Sequence, residues 1–136
     1  MNREEIEDLI VKLDWYGPVD IQDYAIQKLI KIDYSQWYLI LPKRIYPKKL
    51  WENAAKVLKG KKNKEIKSMT LDMFHWLKDL NWPGVEIIIE ILQKLPIKEL
   101  KIFVSKAILI ADITGDDEWK ENIYNVFGEV FCTQDD

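Results

Sequence analysis

The only histidine of the chain, His75, stands between two carboxylates, with Asp72, His75 and Asp79 at i, i+3 and i+7. On a helix that spacing puts all three on one face. Such a cluster has the chemistry to hold a metal ion or to move a proton, and Glu86 or Glu90 could approach it from the next helix. A single D-x-x-H on one helix lacks the paired ligands of a di-metal bundle, however. A His–Asp pair four residues apart is also ordinary on a solvated helix face. The cluster is therefore read first as polar surface, and no metal or other cofactor is expected.

Two further groups of residues could act on a partner. Trp15 and Trp82 occupy similar turns, Leu13-Asp14-Trp15 and Leu80-Asn81-Trp82. Exposed, they would form a binding platform, since aromatic side chains dominate interface hot spots. Buried, each would plug the gap between two helices, which is the preferred reading because aromatics carry so much core area. The second group is basic. Residues 43–67 hold ten Lys or Arg against Glu52 and Glu65, a local +8, whereas residues 69–136 hold six basic and thirteen acidic side chains, a local −7. Lys43, Arg44, Lys48, Lys49, Lys61, Lys62 and Lys64 are the candidate phosphate contacts if this segment binds nucleic acid. A solvated connector and helix face is the blander reading, and it is preferred.

Composition narrows the classes. A chain of 136 residues is most simply one domain, long enough to bury a substantial core. The net charge of −3 creates no field that demands nucleic acid or a membrane. Cys132 is the only cysteine, so no internal disulfide forms, and a reducing cytoplasm is the expected compartment. The acidic start, MNREEIEDLI, lacks a signal-peptide core, and no apolar run approaches the ~20 residues of a membrane span. P-loop, G-x-G-x-x-G, G-x-S-x-G and H-E-x-x-H patterns are missing, so an enzyme is not expected.

The elements that must position these residues read as helices throughout. Apolar residues recur at helical spacing in Arg3–Asp14, Val19–Ile32, Pro47–Lys59, Lys64–Leu80, Ile97–Ile113 and Asp117–Phe131, with a short helix ending before Pro42. The inward face of the second helix is expected to carry Ile21, Tyr24, Ala25, Leu29 and Ile32. The stretch Phe74–Leu95 organises the rest: a helix end, a tight turn, then a helix apolar except for the stripe Glu86–Glu90–Lys94. Such a helix is buried by neighbours on several sides. Asn81 is expected to cap it and Pro83 to occupy its first turn.

The chain also repeats itself. Leu13-Asp14-Trp15 matches Leu80-Asn81-Trp82 at an offset of 67, Ile26-Gln27-Lys28-Leu29 matches Leu92-Gln93-Lys94-Leu95 at 66, Trp51 aligns with Trp119 at 68, and Asn53 and Val57 align with Asn122 and Val126 at 69. Two tandem copies of one unit, residues 3–60 and 64–131, account for the order. Amphipathic helix pairs of this kind bury their faces by stacking. The expected fold is all-α, a HEAT/armadillo-like α-solenoid fragment of six to seven helices, with a helical bundle as the competing architecture.

The run Trp76-Leu77-Lys78-Asp79-Leu80-Asn81-Trp82-Pro83-Gly84 resembles the W-L-x-D-x-N-W-P signature of a bacterial family called domain of unknown function 5071. Trp51-Glu52-Asn53-Ala54-Ala55-Lys56-Val57-Leu58 and Asp116-Asp117-Glu118-Trp119 are similar to its flanking segments. The resemblance covers residues 45–131 and implies a small HEAT-like solenoid with no assigned catalytic residues. Taken together, these features point to a non-enzymatic protein-interaction module, of accessory or immunity type, for an unidentified protein partner. The interaction surface would be drawn from Trp15, Trp82, Asp72, His75 and Asp79, on a monomer or weak homodimer. Nucleic-acid binding through the basic segment is the alternative.

Overall fold

The computed structural model describes residues 1–41 and 46–132, and within them every regular element is helical. Helix α1 spans Arg3–Val11. The Asn2 side chain accepts from the Glu5 amide at 2.9 Å, satisfying one of the free donors of the first turn, and Glu4 and Glu5 sit where the helix dipole favours acids. Helix α2 (Val19–Ile30) follows the Gly17-Pro18 turn and packs on α1. A 3-10 turn at Tyr34–Leu39 then carries Trp37 into the core, with its indole N–H donated to the Ile32 carbonyl at 3.0 Å. Helix α3 (Trp51–Lys59) lies against α2 on one side and against α6 (Val85–Gln93) on the other.

The segment read as one helix over Lys64–Leu80 is instead a chain of short turns. Helices α4 (Asn63–Ile66) and α5 (Thr70–Phe74) are joined by a 3-10 turn at Lys67–Met69 and followed by another at His75–Lys78. Thr70 is fully buried, and its hydroxyl bonds back to the Ile66 carbonyl at 3.3 Å. Bonds of this kind compete with the helical ladder and bend it. Helix α7 (Ile97–Thr114) runs to Gly115, which closes it in the left-handed conformation at φ 69°. Helix α8 (Asp117–Phe127) is capped by Asp116 through the Trp119 amide and packs along α7.

Two expectations about caps and faces are corrected. Helix α6 begins at Val85, so Pro83 lies in the preceding turn and Asn81 caps nothing. The residue before the helix is Gly84 at φ 86°, and a β-carbon there would come within 2.9 Å of Ala55 Cβ and 3.0 Å of the Trp51 carbonyl oxygen. Only glycine combines that dihedral with so close an approach, and this is what lets α6 rest on α3. In α2 the buried face is Ala25, Ile26 and Leu29, while Ile21 and Tyr24 are exposed. Half-buried Gln22 takes the inward position, its amide donating to the Gly17 carbonyl at 2.6 Å and its oxygen accepting from Asn53 at 2.8 Å. The polar residue points in because it ties the α1–α2 turn to α3.

One contiguous apolar core runs through the molecule, from Ile6 and Leu13 through Leu58, Met73 and Leu77 to Ile88, Val104 and Trp119. Two asparagines pin helix ends across it. Buried Asn53 donates to the Leu13 carbonyl at 2.7 Å, and Asn122 donates to the Leu77 carbonyl at 2.9 Å. Each satisfies a carbonyl that its own helix end leaves unpaired.

Candidate functional site: an aromatic groove

A concave groove of about 880 Å³ opens where residues 38–41 and 46–51 meet residues 72–82. Tyr38, Tyr46, Trp51, Trp76 and Trp82 supply its ring walls, with Leu41 and Pro47 between them. The rings brace one another edge-on: Trp51 stands 5.0 Å from Trp82 at 86° and 6.2 Å from Trp76 at 76°. Edge-to-face packing of this kind suits the aromatic quadrupole. Polar atoms of the walls are held by backbone. Trp76 donates to the Pro83 carbonyl at 2.9 Å, Trp51 to the Tyr46 carbonyl at 3.2 Å, and the Tyr46 hydroxyl to the Leu39 carbonyl at 3.2 Å. Burial raises the pKa of that phenol. The Tyr46, Trp51 and Trp76 rings are therefore fixed in place rather than free to rotate.

His75 and Asp72 both border this groove, so the structure brings two members of the sequence cluster to one cavity. The third turns away. Asp79 accepts the Asn81 amide at 2.8 Å and builds the turn that leads to Trp82. The His75 ring stacks on buried Trp119, 4.7 Å away and 29° from parallel. Burial holds its pKa below the usual imidazole value; the Lys78 ammonium adds to the shift and Asp72 opposes it. A neutral imidazole stacked on an indole is a wall of the groove. Among the described residues no group of three or more His, Cys, Asp or Glu is placed to hold a metal ion.

The two turn tryptophans separate. Trp82 is half-buried against Trp51 inside the groove. Trp15 is 36% exposed beside Tyr16, 5.8 Å away, and its backbone amide donates to the Lys49 carbonyl at 3.2 Å. Trp51, Trp76 and Lys78 belong to the groove but were not singled out from the sequence as candidates for a site. The signal available was three tryptophans within 32 positions, and it said nothing of which ones meet.

The described part of the basic segment is not one surface. Lys61 is 5% exposed; its ammonium donates to the Leu29 and Ile30 carbonyls at 3.2 Å each and lies 4.1 Å from the centre of the Trp37 ring. It closes the end of α2, where unpaired carbonyls and the negative end of the dipole favour a cation. Burial nonetheless lowers its pKa to about 8, with Glu65 opposing the shift. Lys49 pairs with Asp14 at 2.9 Å, Lys59 with Glu90 at 3.1 Å, and Lys67 with Glu99. Lys62 and Lys64 are exposed at the start of α4. Lys43 and Arg44 lie outside the described residues. Of the lysines in the described part of the segment, Lys48 alone lines the groove, 5.9 Å from the Trp82 ring.

Fold and site thus define an all-helical protein with a pre-formed aromatic groove and a mixed charged rim. Its three tryptophans, Trp51, Trp76 and Trp82, fall within the stretch that a family model matches, while Tyr38 and Leu41 lie before it. The chain belongs to the family described as Domain of unknown function (DUF5071), whose model matches residues 45–135. No curated protein matches the chain. No solved structure matches it either. No helix among the described residues is long and apolar enough to cross a membrane.

Proposed function

We propose that this protein is a non-enzymatic interaction module that takes up a short segment of a partner protein in the Trp51–Trp76–Trp82 groove. The groove itself carries the reading: a concavity of about 880 Å³ in which Trp51 and Trp76 are already anchored to backbone carbonyls. Exposed Tyr38 and half-buried Trp82 present the contact area, and nearly buried Trp51 and Trp76, fixed before binding, lose little more freedom when a partner arrives. The reading over nucleic acid rests on two observations. The indoles meet edge-on rather than presenting parallel faces to successive bases. In addition, Lys49, Lys59, Lys61 and Lys67 are engaged within the protein and leave no continuous phosphate track among the described residues.

The scaffold belongs to the same proposal. The chain is two copies of one helical unit stacked in the HEAT manner, and Asn53 and Asn122 are its equivalent pins, each donating to a carbonyl at the end of its unit's first helical segment. A cytoplasmic accessory role is part of the same proposal.

Display of random peptides on phage, selected against the immobilised protein, tests the reading. Tyr38 is 52% exposed, so Tyr38→Ala opens one wall without touching the core. Selected peptides should bind Tyr38→Ala and Trp82→Ala about tenfold or more weakly, as interface aromatics usually require. Peptides that bind wild type and both variants equally would contradict it.

A further inference from the structure

We propose that the groove selects acidic segments: a bulky apolar residue that enters the ring pocket, flanked by Asp or Glu side chains that meet Lys48 and Lys78. This inference rests on the groove being the recognition surface and adds the chemistry of its occupant.

The two ammoniums come from separate parts of the chain. Lys48 belongs to the turn that leads into α3 and stands 5.9 Å from the Trp82 ring. Lys78 ends the 3-10 turn after α5 and lies 4.9 Å from the Trp119 ring. Neither forms an ion pair among the described residues, in contrast to Lys49, Lys59 and Lys67 close by in sequence. One carboxylate, Asp72, shares the rim, and His75 is held neutral by burial, so the described lining carries one net positive charge. Both lysines border apolar ring surface. A carboxylate that reaches them beside a buried side chain is partly shielded from water, where its attraction to the ammonium is stronger than on open surface. A lysine-flanked segment would meet the same cations with the opposite sign. The acidic occupant is thus the one whose charges and apolar anchor are both matched.

Fluorescein-labelled peptides of equal length test this by anisotropy. One carries a central Trp-Leu flanked by Asp and Glu, a second the same core flanked by Ser and Gly, a third the core flanked by Lys. The acidic peptide should bind about tenfold more tightly than the neutral one, with the lysine peptide weakest and the gap narrowing as salt rises. In Lys48→Glu/Lys78→Glu the order should reverse. In Lys48→Gln/Lys78→Gln, which keeps side-chain bulk, the three should converge. Equal affinity of all three peptides for wild type would overturn the acidic preference and leave the groove reading standing. No binding by any of them, with a folded protein, would overturn the groove reading itself. Tighter binding of a labelled single-stranded oligonucleotide than of the acidic peptide would overturn the peptide occupant in favour of nucleic acid.

Discussion

Trp82 and Trp51 meet edge to face, their ring centres 5.0 Å apart at 86°, joining the turn before α6 to the first residue of α3. The contact is both packing and site. Replacing Trp82, which is half-buried, with Ala should cost about 2 kcal/mol, less than the ~3–5 kcal/mol of a fully buried aromatic. Trp82→Phe should recover most of the stability. Urea unfolding of the two variants measures the difference.

Gly84 should tolerate no side chain. Its φ of 86° and the 2.9 Å approach to Ala55 put strain and overlap at one position. Gly84→Ala should destabilise by about 2–4 kcal/mol, since positive φ and overpacking each cost about 1–3. Gly115→Ala is the control: it has positive φ but nothing within 4 Å, and should cost only about 1 kcal/mol. Thermal unfolding of both resolves strain from contact.

Asn53→Ala removes the donor to the Leu13 carbonyl and the partner of Gln22. Loss of about 1–3 kcal/mol is expected, the range for orphaning buried polar groups. Asn122→Ala, in a half-buried position, should cost less. If the two asparagines are equivalent pins, each variant should loosen its own unit first, read as faster amide exchange near Leu13 or near Leu77.

Lys61 makes stability depend on pH on the alkaline side. Its folded pKa of about 8 lies below the ordinary lysine value of 10.5, so the unfolded chain binds more protons between those values. Stability therefore rises as pH increases from about 8 to 10.5, and the contribution is lost as pH falls through about 8. Relative to Lys61→Met, wild type should gain of order 2 kcal/mol over that window. Denaturant melts of both proteins at each pH check it. The Tyr46 phenol, whose raised pKa acts in the opposite direction above 10, is common to both and cancels.

His75 acts on the acid side. Its folded pKa is depressed, so its share of stability is complete above the ordinary value of 6.5 and is lost as pH falls through the depressed one. His75→Gln should flatten that acid limb in pH-dependent melts. The same proton adds a third cation to the groove beside Lys48 and Lys78, so acidic peptides should bind more tightly as pH falls toward that value. The variant should lose this tightening.

How far these features were legible in sequence depended on the range over which they are built. Helices α7 and α8 follow from local periodicity and begin where the pattern put them, but α8 ends at Phe127 and a 3-10 turn takes over the stretch expected to stay helical to Phe131. The segment after Lys64 kept its apolar spacing but not its continuity, because a buried Thr70 hydroxyl diverts the ladder, and periodicity does not reveal where a hydroxyl points. Gln22 was invisible as an inward residue, since its reason for pointing in lies 31 positions away at Asn53. Lys61 looked solvated because its run, Gly60-Lys61-Lys62-Asn63-Lys64, has the composition of a connector. Its partners are the end of α2 and Trp37. The groove escaped the sequence for the same reason: residues 46–51 and 72–82 each carry aromatic residues, and only the α3–α6 contact secured by Gly84 brings them together.

The claim at the centre is that Trp51, Trp76 and Trp82 contact the partner. Each of the six tryptophans has one indole N–H. An ¹⁵N-indole NMR titration with a phage-selected peptide reads them separately. Shifts concentrated on Trp51, Trp76 and Trp82, with Trp15 unmoved, are the expected result. A titration that moves Trp15 and leaves those three in place would contradict the account.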